Sequence, residues 1–467
     1  MPTTNTQAKN AKRALLVQGP IRKTLVKLTV PMLFGIFGMV AFNLIDTFFV
    51  GRLGTNELAA MSFTFPVVLV VNGFALGLGV GTSAVVSRAI GEGNRTRVQR
   101  LTTDGLALAV LLVTLFVTVG LLTINPIFRL LGAPPEVMPL IRQYMTIWYL
   151  GAGFVVAPMV GNNAIRATGD TVTPSAIMMV AVAVNVILDP ILIFGLGPFP
   201  RMELAGAAIA TVIARAVTLL VALFILYYRE KMITLVVPPV KSVWDSWKAI
   251  LYIGLPTAGT NIIVPISVGI ITSLVATYGS EAVAGLGVAT RVESFALMMF
   301  MALNSVIGPF VGQNLGANQL ERLKLGVKYS QQFAMAWGAL MFVLLWVAAE
   351  PIALLFNDDP VVVSTVISYL RLVPVSYGLL GVFMLSSTTL NVLNKPMQAV
   401  ALTILRTIIL YVPLAYLGAA LFGVGGIFGA TALANVIAGG GAYLWLARGV
   451  LEKLSRPFSS RAAAEPA

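Results

Sequence analysis

The sequence predicts an all-α polytopic membrane protein with 12 transmembrane helices in two pseudo-symmetric six-helix bundles, and three observations support this. The chain of 467 residues is 58% hydrophobic and only 10% charged, with a mean hydropathy of +0.91, which exceeds the values of soluble domains. Apolar segments long enough to cross a bilayer recur between short polar joints. The second half of the chain also repeats the pattern of the first half.

The apolar segments are continuous runs rather than alternating ones, which favours helices and excludes a β-barrel. Each contains roughly the 20 residues that a membrane-spanning helix needs. The 12 predicted spans are near residues 24–50, 58–88, 101–124, 138–160, 173–195, 205–228, 248–278, 283–312, 326–349, 361–386, 397–420 and 425–448.

The internal repeat appears when the chain is shifted by 225 positions. Pro31 then falls on Pro256, Gly54 on Gly279, Gly91 on Gly316 and Arg97 on Arg322, without any gap. Further along, at a shift of 222 or 223, Pro174 meets Pro396 and Gly206 meets Gly429. Chance agreement of apolar text is the alternative, but the ungapped register over residues 31–97 argues against it. A half-chain period with an even number of spans is typical of transporters built from two parallel bundles.

The joints between spans define the domains and the orientation. We predict a disordered lead at 1–20, an N-lobe at 21–232, a cytoplasmic linker at 233–247, a C-lobe at 248–452 and a C-terminal tail at 453–467. Lysine and arginine concentrate in the joints on one side, which places both termini in the cytoplasm of a multi-pass protein. This placement accounts for the net charge of +13 without a nucleic-acid partner. The polar lead lacks the apolar core of a secretory signal peptide.

The composition also limits the chemistry. The chain has no cysteine and no histidine, which excludes disulfides, Cys or His metal sites and catalytic triads that need either residue. Carboxylates are therefore the expected proton carriers. We predict neither an enzyme nor a bound cofactor.

One carboxylate, Asp46, lies within the first apolar stretch, from Val30 to Gly54. An ionised side chain at membrane depth costs about 3 kcal/mol on insertion scales, so it indicates a functional site. The alternative is that Asp46 lies near the end of its helix, where water or Arg52 satisfies it. Pro31 in the same span leaves a carbonyl without its helical partner, which predicts a helix that bends when Asp46 changes charge.

A second carboxylate, Asp189, lies in the fifth span four residues after Asn185, so the two side chains share a helix face. With Asp46 they predict an oxygen-rich cluster that holds a proton or a small hard cation. Because two nearby carboxylates are not both ionised cheaply, one is expected to stay protonated near neutral pH. Further members of the cluster are Asn43 in the first span and Ala207 and Thr211 in the sixth. The alternative is that Asn185 and Asp189 only tie helices together.

The second bundle does not copy this cluster. Its charges within spans are Arg291, Glu293 and Arg406, and the first two do not share a helix face. We interpret them as packing or interfacial ties, with a substrate or gating role as the alternative. Ion coupling is then expected only in the first half of the chain.

Methionine and phenylalanine side chains are abundant in the spans of both bundles. Met-rich surfaces repack around varied apolar ligands, so they are candidate substrate contacts. The alternative is that each side chain faces lipid or the core. The candidates for the substrate cavity are Met39, Phe42, Asn43, Phe154, Met178 and Met299.

Four motifs resemble those of the multidrug and toxic compound extrusion (MATE) transporters, over nearly all of residues 20–450. They are the aspartate in NLIDTFFVGRLG, the turn RAIGEGN, the loop IRATGDTVTP and the turn NVILDP. The acids of the first bundle are similar to those of the DinF-like branch. The TGD in the loop differs from the commoner GxGD form of the family.

The resemblance implies a V-shaped pair of lobes in the inner membrane and an efflux antiporter, which we expect to be a monomer in the lipid bilayer. Its substrates would be hydrophobic, often cationic compounds, exported against inward H+ or Na+. The residues that match the coupling network, and that would hold Na+ if it binds, are Asp46, Asn185, Asp189, Thr211 and Ala207, the last through its backbone carbonyl. Tyr144 matches an N-lobe tyrosine, and Pro31 suits a first helix that bends on protonation.

Two other functions are compatible with the sequence. A flippase for a lipid-linked precursor has a related fold, but a strongly cationic cavity is expected for its anionic headgroup, and only Arg215, Arg291 and Arg406 lie within the spans. A polytopic membrane enzyme would need an aspartyl pair such as Asp46 and Asp189. Detection of a cleaved or transferred product, rather than vectorial transport, would favour the enzyme.

Overall fold

The structure is a computed structural model that describes residues 16–454, without the side chains at positions 43, 44, 46–48, 51, 55, 58 and 454. In this part of the chain the regular structure is helical throughout. Within residues 16–454, eleven helices are long and apolar enough to cross a membrane. The last of them, Pro396–Leu451, is interrupted at Gly423, whose φ of 62° and ψ of −145° are not helical. Because this helix therefore contains two spans, the predicted count of 12 is confirmed.

The helices begin and end close to the predicted spans. In the first half they are α1 (Ile21–Gly51), α2 (Thr55–Glu92), α3 (Arg95–Leu130), α4 (Met138–Ala167), α5 (Val172–Phe194) and α6 (Glu203–Phe224), which a π-helical turn extends to Arg229. In the second half they are α7 (Val240–Ala276), α8 (Ser280–Gly316), α9 (Leu320–Phe356), α10 (Pro360–Leu372), α11 (Tyr377–Val392), α12 (Pro396–Ile404), α13 (Val412–Leu444) and α14 (Glu452–Leu454).

The chain forms two compact units. One contains residues 27–261, and the other contains residues 262–467 together with 1–26, as far as these are described. The boundaries therefore fall inside α1 and α7 rather than in the joints. The predicted linker at 233–247 is helical from Val240 onward.

In the unit formed by residues 27–261, α4 is the central helix. It packs against α2, α3 and α6, while α5 pairs with α6. Small residues allow the close approaches: Gly151 of α4 faces Val212 of α6, and Gly120 of α3 faces the ring of Tyr149. A side chain at either glycine would require Val212 or the Tyr149 ring to shift, so these glycines allow the close packing around α4.

In the other unit the tenth span is central, and it is not a regular helix. It consists of α10, a 3₁₀ turn at Val373–Ser376 and α11, and it packs against α8, α9 and α13. The backbones of Gly338 on α9 and Gly378 on α11 lie in contact. Tyr377, which opens α11, has no solvent exposure.

The repeat predicted from the sequence is also present in the backbone. Gly93 and Asn318, which follow α2 and α8, both have positive φ angles, of 77° and 57°. Gly169 and Asn394, which follow α4 and α11, have φ angles of 88° and 63°. The members of each pair are 225 positions apart in the chain. Glycine and asparagine adopt the left-handed conformation that ends a helix more readily than other residues, which explains their use at equivalent helix ends.

The segment before α7 is fastened to α3. Thr103 Oγ1 accepts from Thr234 N at 3.0 Å, and Arg100 Nη1 donates to Val236 O at 3.0 Å. Arg100 also forms an ion pair with Asp104, one turn along α3, and Trp247 Nε1 donates to the backbone carbonyl of Asp104 at 2.9 Å. These bonds hold the start of α7 against α3.

Candidate functional site

The polar pair of the fifth span lies in the core of its unit. Asn185 and Asp189 both have no solvent exposure, and Asn185 Nδ2 donates to Asp189 Oδ1 at 3.0 Å. The shared face predicted from their spacing is therefore present. The oxygen of the same amide, Asn185 Oδ1, is buried and has no hydrogen-bond partner among the described residues. A buried acceptor without a donor is costly, so this oxygen offers a place for a proton-bearing group, a water or a cation.

Close packing of α5 on α6 places the sixth span beside this pair. Gly206 lies against the backbone of Leu192, where an added Cβ would be 2.6 Å from the Leu192 carbonyl carbon, and Met202 N donates to Leu192 O at 3.0 Å. The two helices are antiparallel and rise equally, so Asp189 lies level with about position 209 and Asn185 with about position 213. Thr211, which is half-buried, falls between these levels.

The first span runs along the other side of α5. Gly35 faces Ser175, where an added Cβ would be 3.0 Å from the Ser175 Cα, and the Phe49 and Phe194 ring centroids are 6.2 Å apart. Position 46 of α1 lies between these two contacts, nearer the second, at about the depth of Asp189. The side chains of Asp46 and Asn43 lie outside the described residues, so their part in the cluster stays a prediction.

Two further members of the predicted network are buried in the same unit. Tyr144 on α4 is 6% exposed, and Ala207 on α6 is 2% exposed. The backbone carbonyl of Ala207 lies one helical turn from Thr211, and its part in a cation site stays a prediction. Among the described residues, no group of three or more acids, histidines or cysteines could hold a metal ion. A Na+ site would therefore need amide, hydroxyl and carbonyl oxygens beside the carboxylates.

The predicted cavity residues have different environments. Phe42 is buried, at 5% exposure, whereas Phe154 is exposed at 39%. Met39, Met178 and Met299 are half-buried. Their role in binding substrate stays a prediction.

Arg215 was not assigned to the site from the sequence, but it lies on the same face of α6 as Ala207 and Thr211, at successive spacings of four residues. Its guanidinium carbon is 5.0 Å from the centroid of the Phe42 ring. Its side chain takes part in none of the ion pairs or hydrogen bonds found among the described residues. The spacing of four residues from Thr211 was the signal that could have found it.

Two of the three charges predicted within the spans of the second half, Glu293 and Arg406, are half-buried and belong to a polar network, whereas Arg291 is exposed. Tyr369 donates to Glu293 Oε2 at 2.7 Å, and Arg406 Nη1 donates to Asn435 Oδ1 at 3.1 Å. Asn435 Nδ2 in turn donates to Ser376 Oγ at 3.1 Å. Arg406 is close enough to Glu293 for their charges to interact. The network joins α8, the tenth span, the π-helical segment after α12 and α13, which fits the predicted role as ties between helices.

The loop motif IRATGDTVTP forms a hydrogen-bond network at the start of α5. Asp170 accepts from Thr173 N at 3.1 Å and from Thr173 Oγ1 at 2.7 Å. Arg229, at the end of the sixth span, donates to Asp170 Oδ2 at 2.8 Å and to Thr173 Oγ1 at 2.9 Å. The motif therefore fixes α5, which carries Asn185 and Asp189, against the end of the sixth span.

The MatE family model matches this chain twice, at residues 31–191 and 256–417, which together are more than half of it. The two matches begin 225 positions apart, as the repeat does. The chain belongs to the MATE family. MATE proteins are transporters, so the prediction that the chain is not an enzyme is confirmed.

Individual relatives of this MATE protein cover almost its full length. It is 39% identical to a FAD transporter of Shewanella oneidensis, over 94% of this chain and 96% of the relative. It is 28% identical to the probable multidrug resistance protein YoeA of Bacillus subtilis, over 80% of this chain and 82% of the relative. Among solved structures, the Vibrio cholerae MATE transporter VcmN in the bent form is 32% identical, with a TM-score of 0.87 over 93% of this chain and 98% of that one.

These findings confirm a multi-pass membrane transporter with relatives in multidrug efflux. The polar pair, the approach of α6 and the depth of position 46 bring Asn185, Asp189 and Thr211 to similar depths in the unit formed by residues 27–261. The ion that this MATE protein uses, its substrate and the bending of α1 belong to the proposal below.

Proposed function

We propose that this MATE protein is an efflux antiporter that exports small organic molecules against an inward flow of protons through the network around Asp189. The observation that carries the proposal is the complete burial of Asp189 and its hydrogen bond from Asn185 within a membrane-spanning unit. A carboxylate in that setting is costly unless it has a partner or a proton. The cost favours a role in which the group exchanges protons.

In the proposed cycle, Asp46 and Asp189 share a titratable charge. Protonation neutralises the charge that Asp46 and Asp189 share, and α1 then bends at Pro31. Pro31 lies inside a continuous helix and leaves the carbonyl of Lys27 without a helical donor, so bending there breaks fewer hydrogen bonds than elsewhere in α1. The bend reduces the space beside α5 and releases the substrate outward.

The test uses purified protein in liposomes with an imposed pH gradient or, separately, a sodium gradient. We expect wild-type transport with the pH gradient, and its loss in Asp189→Asn and in Asp46→Asn. Asp245→Asn is the matched control, because Asp245 is an exposed carboxylate at the start of α7. Transport that is undiminished in both network variants would refute the proposal. Transport driven only by sodium would assign the network to Na+ instead.

The substrate class predicted from the family resemblance is hydrophobic, often cationic compounds, and relatives named as multidrug resistance proteins support it. A second candidate is flavin adenine dinucleotide, because a FAD transporter is 39% identical over 94% of this chain. Measuring pH-driven efflux of FAD and of ethidium from the same vesicles separates the two candidates. Efflux of ethidium without FAD supports the first, and the reverse supports the second.

We place the protein in the inner membrane with both termini in the cytoplasm, because the basic residues concentrate in the joints on one side. Cysteines introduced near each terminus into this cysteine-free chain would test the orientation. Labelling of either cysteine by a membrane-impermeant reagent in intact cells would refute it.

A further inference from the structure

We propose that Arg215 is an anion-binding residue that takes a phosphate group of the substrate and disfavours cationic substrates. The inference deepens the second candidate above and rests on the proposed function as an exporter of small molecules. It concerns only the unit formed by residues 27–261.

The side chain of Arg215 is directed away from lipid. The exposed large apolar residues of α6 form one face, and they are Ile213, Leu220, Val221 and Phe224. At about 100° per residue, Arg215 lies roughly 120° to 180° from each of them around the helix. Thr211, one turn away on the same side, is half-buried. Arg215 therefore faces the interior of its unit, like the members of the proposed coupling network.

The depth of Arg215 is also that of the network. From the contact of Gly206 with Leu192, position 215 lies level with about position 183 of α5. This is about 3 Å along the axis from the level of Asn185. A ligand on the guanidinium would therefore lie beside the polar pair, not at the membrane surface.

No described carboxylate compensates the charge of Arg215. Its side chain forms none of the ion pairs found among the described residues. Arg229 of the same unit pairs with Asp170, whereas Arg166, like Arg215, has no described ion pair. A guanidinium that is shielded from water without a counter-charge is unfavourable. The described surroundings of Arg215 thus lack the negative group that Asp170 provides for Arg229.

Arg215 is in a cation–π contact that leaves its hydrogen-bond donors available. The guanidinium lies over the ring of Phe42, which is itself buried. A cation over an aromatic face is stabilised by the ring and held in place, but no N–H group is consumed by the contact. The planar donor fork of arginine matches two oxygens of a phosphate. The guanidinium is therefore already positioned to donate hydrogen bonds to an anion.

Arg406 in the other unit is an arginine with a structural role, and its contacts can be compared with those of Arg215. Its guanidinium also lies over a phenylalanine ring, that of Phe383, at 4.9 Å. It differs in donating to Asn435 and in having the charge of Glu293 nearby. The same stacking thus occurs with a counter-charge at Arg406 and without a described one at Arg215 and at Arg371, whose guanidinium lies over the Trp346 ring. Arg215 differs from Arg371 in lying at the depth of the Asn185 and Asp189 pair, which favours a ligand rather than a second tie.

The test compares riboflavin, which carries no phosphate, with FMN, which is the same molecule with one phosphate. Binding to wild-type protein in phosphatidylcholine nanodiscs is measured by quenching of flavin fluorescence, and binding of tetraphenylphosphonium by equilibrium dialysis. We expect wild type to bind FMN about 10- to 100-fold more tightly than riboflavin, the range for charge-assisted hydrogen bonds. Arg215→Gln should abolish that preference, leave riboflavin binding unchanged and raise the affinity for tetraphenylphosphonium.

Two further variants keep the test decisive. Arg215→Lys retains the charge but lacks the planar fork, so an intermediate preference for FMN is expected. Arg129→Gln removes an exposed arginine from the last turn of α3 and should leave every affinity at the wild-type value. An unchanged ratio of FMN to riboflavin affinity in Arg215→Gln would overturn the inference while leaving the proposed function intact.

The experiment tests separately whether flavins are substrates and whether Arg215 binds anions. If wild-type protein binds neither flavin, FAD is removed as a candidate substrate, and the binding of tetraphenylphosphonium then decides. A higher affinity for tetraphenylphosphonium in Arg215→Gln than in wild type would support the proposal that the charge of Arg215 disfavours cations. An equal affinity would overturn it. A lipid phosphate is the other source of the same chemistry. Loss of the FMN preference when phosphatidylglycerol is added to the nanodiscs would assign Arg215 to a lipid headgroup and overturn the substrate role.

Discussion

The contact of Gly206 with α5 provides a sharp test of how the coupling network is positioned, because it can be changed without touching any network side chain. In Gly206→Ala, the new methyl group would lie 2.5 Å from the carbonyl oxygen of Leu192 and 2.6 Å from its carbonyl carbon. Ordinary contact begins at 3.4 Å, so α5 and α6 must separate by about 0.9 Å. Overpacking of this kind typically costs about 1 to 3 kcal/mol.

The repeat supplies the matched control. Gly429 is the counterpart of Gly206 at a shift of 223, yet an added Cβ there meets nothing within 4 Å. Gly429→Ala should therefore be neutral or stabilising by up to about 1 kcal/mol, from helix propensity alone. Both substitutions add the same methyl group within a helix, so helix propensity cannot explain a difference between them.

Two measurements check the prediction. Thermal unfolding in detergent, followed by intrinsic fluorescence, should show a lower transition temperature for Gly206→Ala by about 2 to 4 °C per kcal/mol. Transport driven by a pH gradient should fall in Gly206→Ala and stay at the wild-type level in Gly429→Ala. If the two variants unfold and transport alike, the close approach of α6 to the Asn185 and Asp189 pair does not matter, and the reasoning is refuted.

Three further perturbations separate stability, coupling and bending. Asp170→Asn removes the charge that pairs with Arg229 at 2.8 Å, and because Asp170 is buried while Arg229 is 48% exposed we expect a loss of about 1 to 3 kcal/mol in thermal unfolding, with the response to a pH gradient intact. Glu293→Gln keeps an acceptor for the hydroxyl of Tyr369, so pH-driven transport should equal that of wild type; its loss would place coupling in both halves of the chain. Pro31→Ala restores a helical donor to α1 and should slow pH-driven transport while equilibrium substrate binding is kept.

The fold was predictable because its signals are local or periodic. Continuous apolar runs marked the spans, and the glycines and prolines that recur at 225 positions mark helix ends and breaks, which depend on backbone conformation more than on neighbours. Gly423 illustrates the limit of this reasoning. The predicted boundary between the last two spans lies beside it, but the sequence did not show that the helix bends there instead of ending in a loop.

The site was only partly predictable. Asn185 and Asp189 could be paired because they are one turn apart on one helix. The partner of Asp170 is 59 residues away along the chain, and its identification needed the three-dimensional packing of α5 on the sixth span. Arg215 presented the hardest case, because its significance lies in the lack of a described counter-charge, and neither spacing nor composition shows which charges a folded helix will meet.

The charge on the substrate decides how coupling can work. A cationic substrate and a proton compete directly for the same carboxylates, since both are attracted by the same negative charge. An anion bound to Arg215 would instead favour a proton on nearby carboxylates, because opposite charges attract most strongly at low dielectric. Exchange of an anion for inward protons therefore requires a change of shape that makes the two binding events exclusive, and α1 with Pro31 is the element that can supply it. In Pro31→Ala, lowering the pH should still displace tetraphenylphosphonium but should no longer displace FMN. Loss of both displacements would show that bending enforces exchange for every substrate, and retention of both would show that it enforces exchange for none.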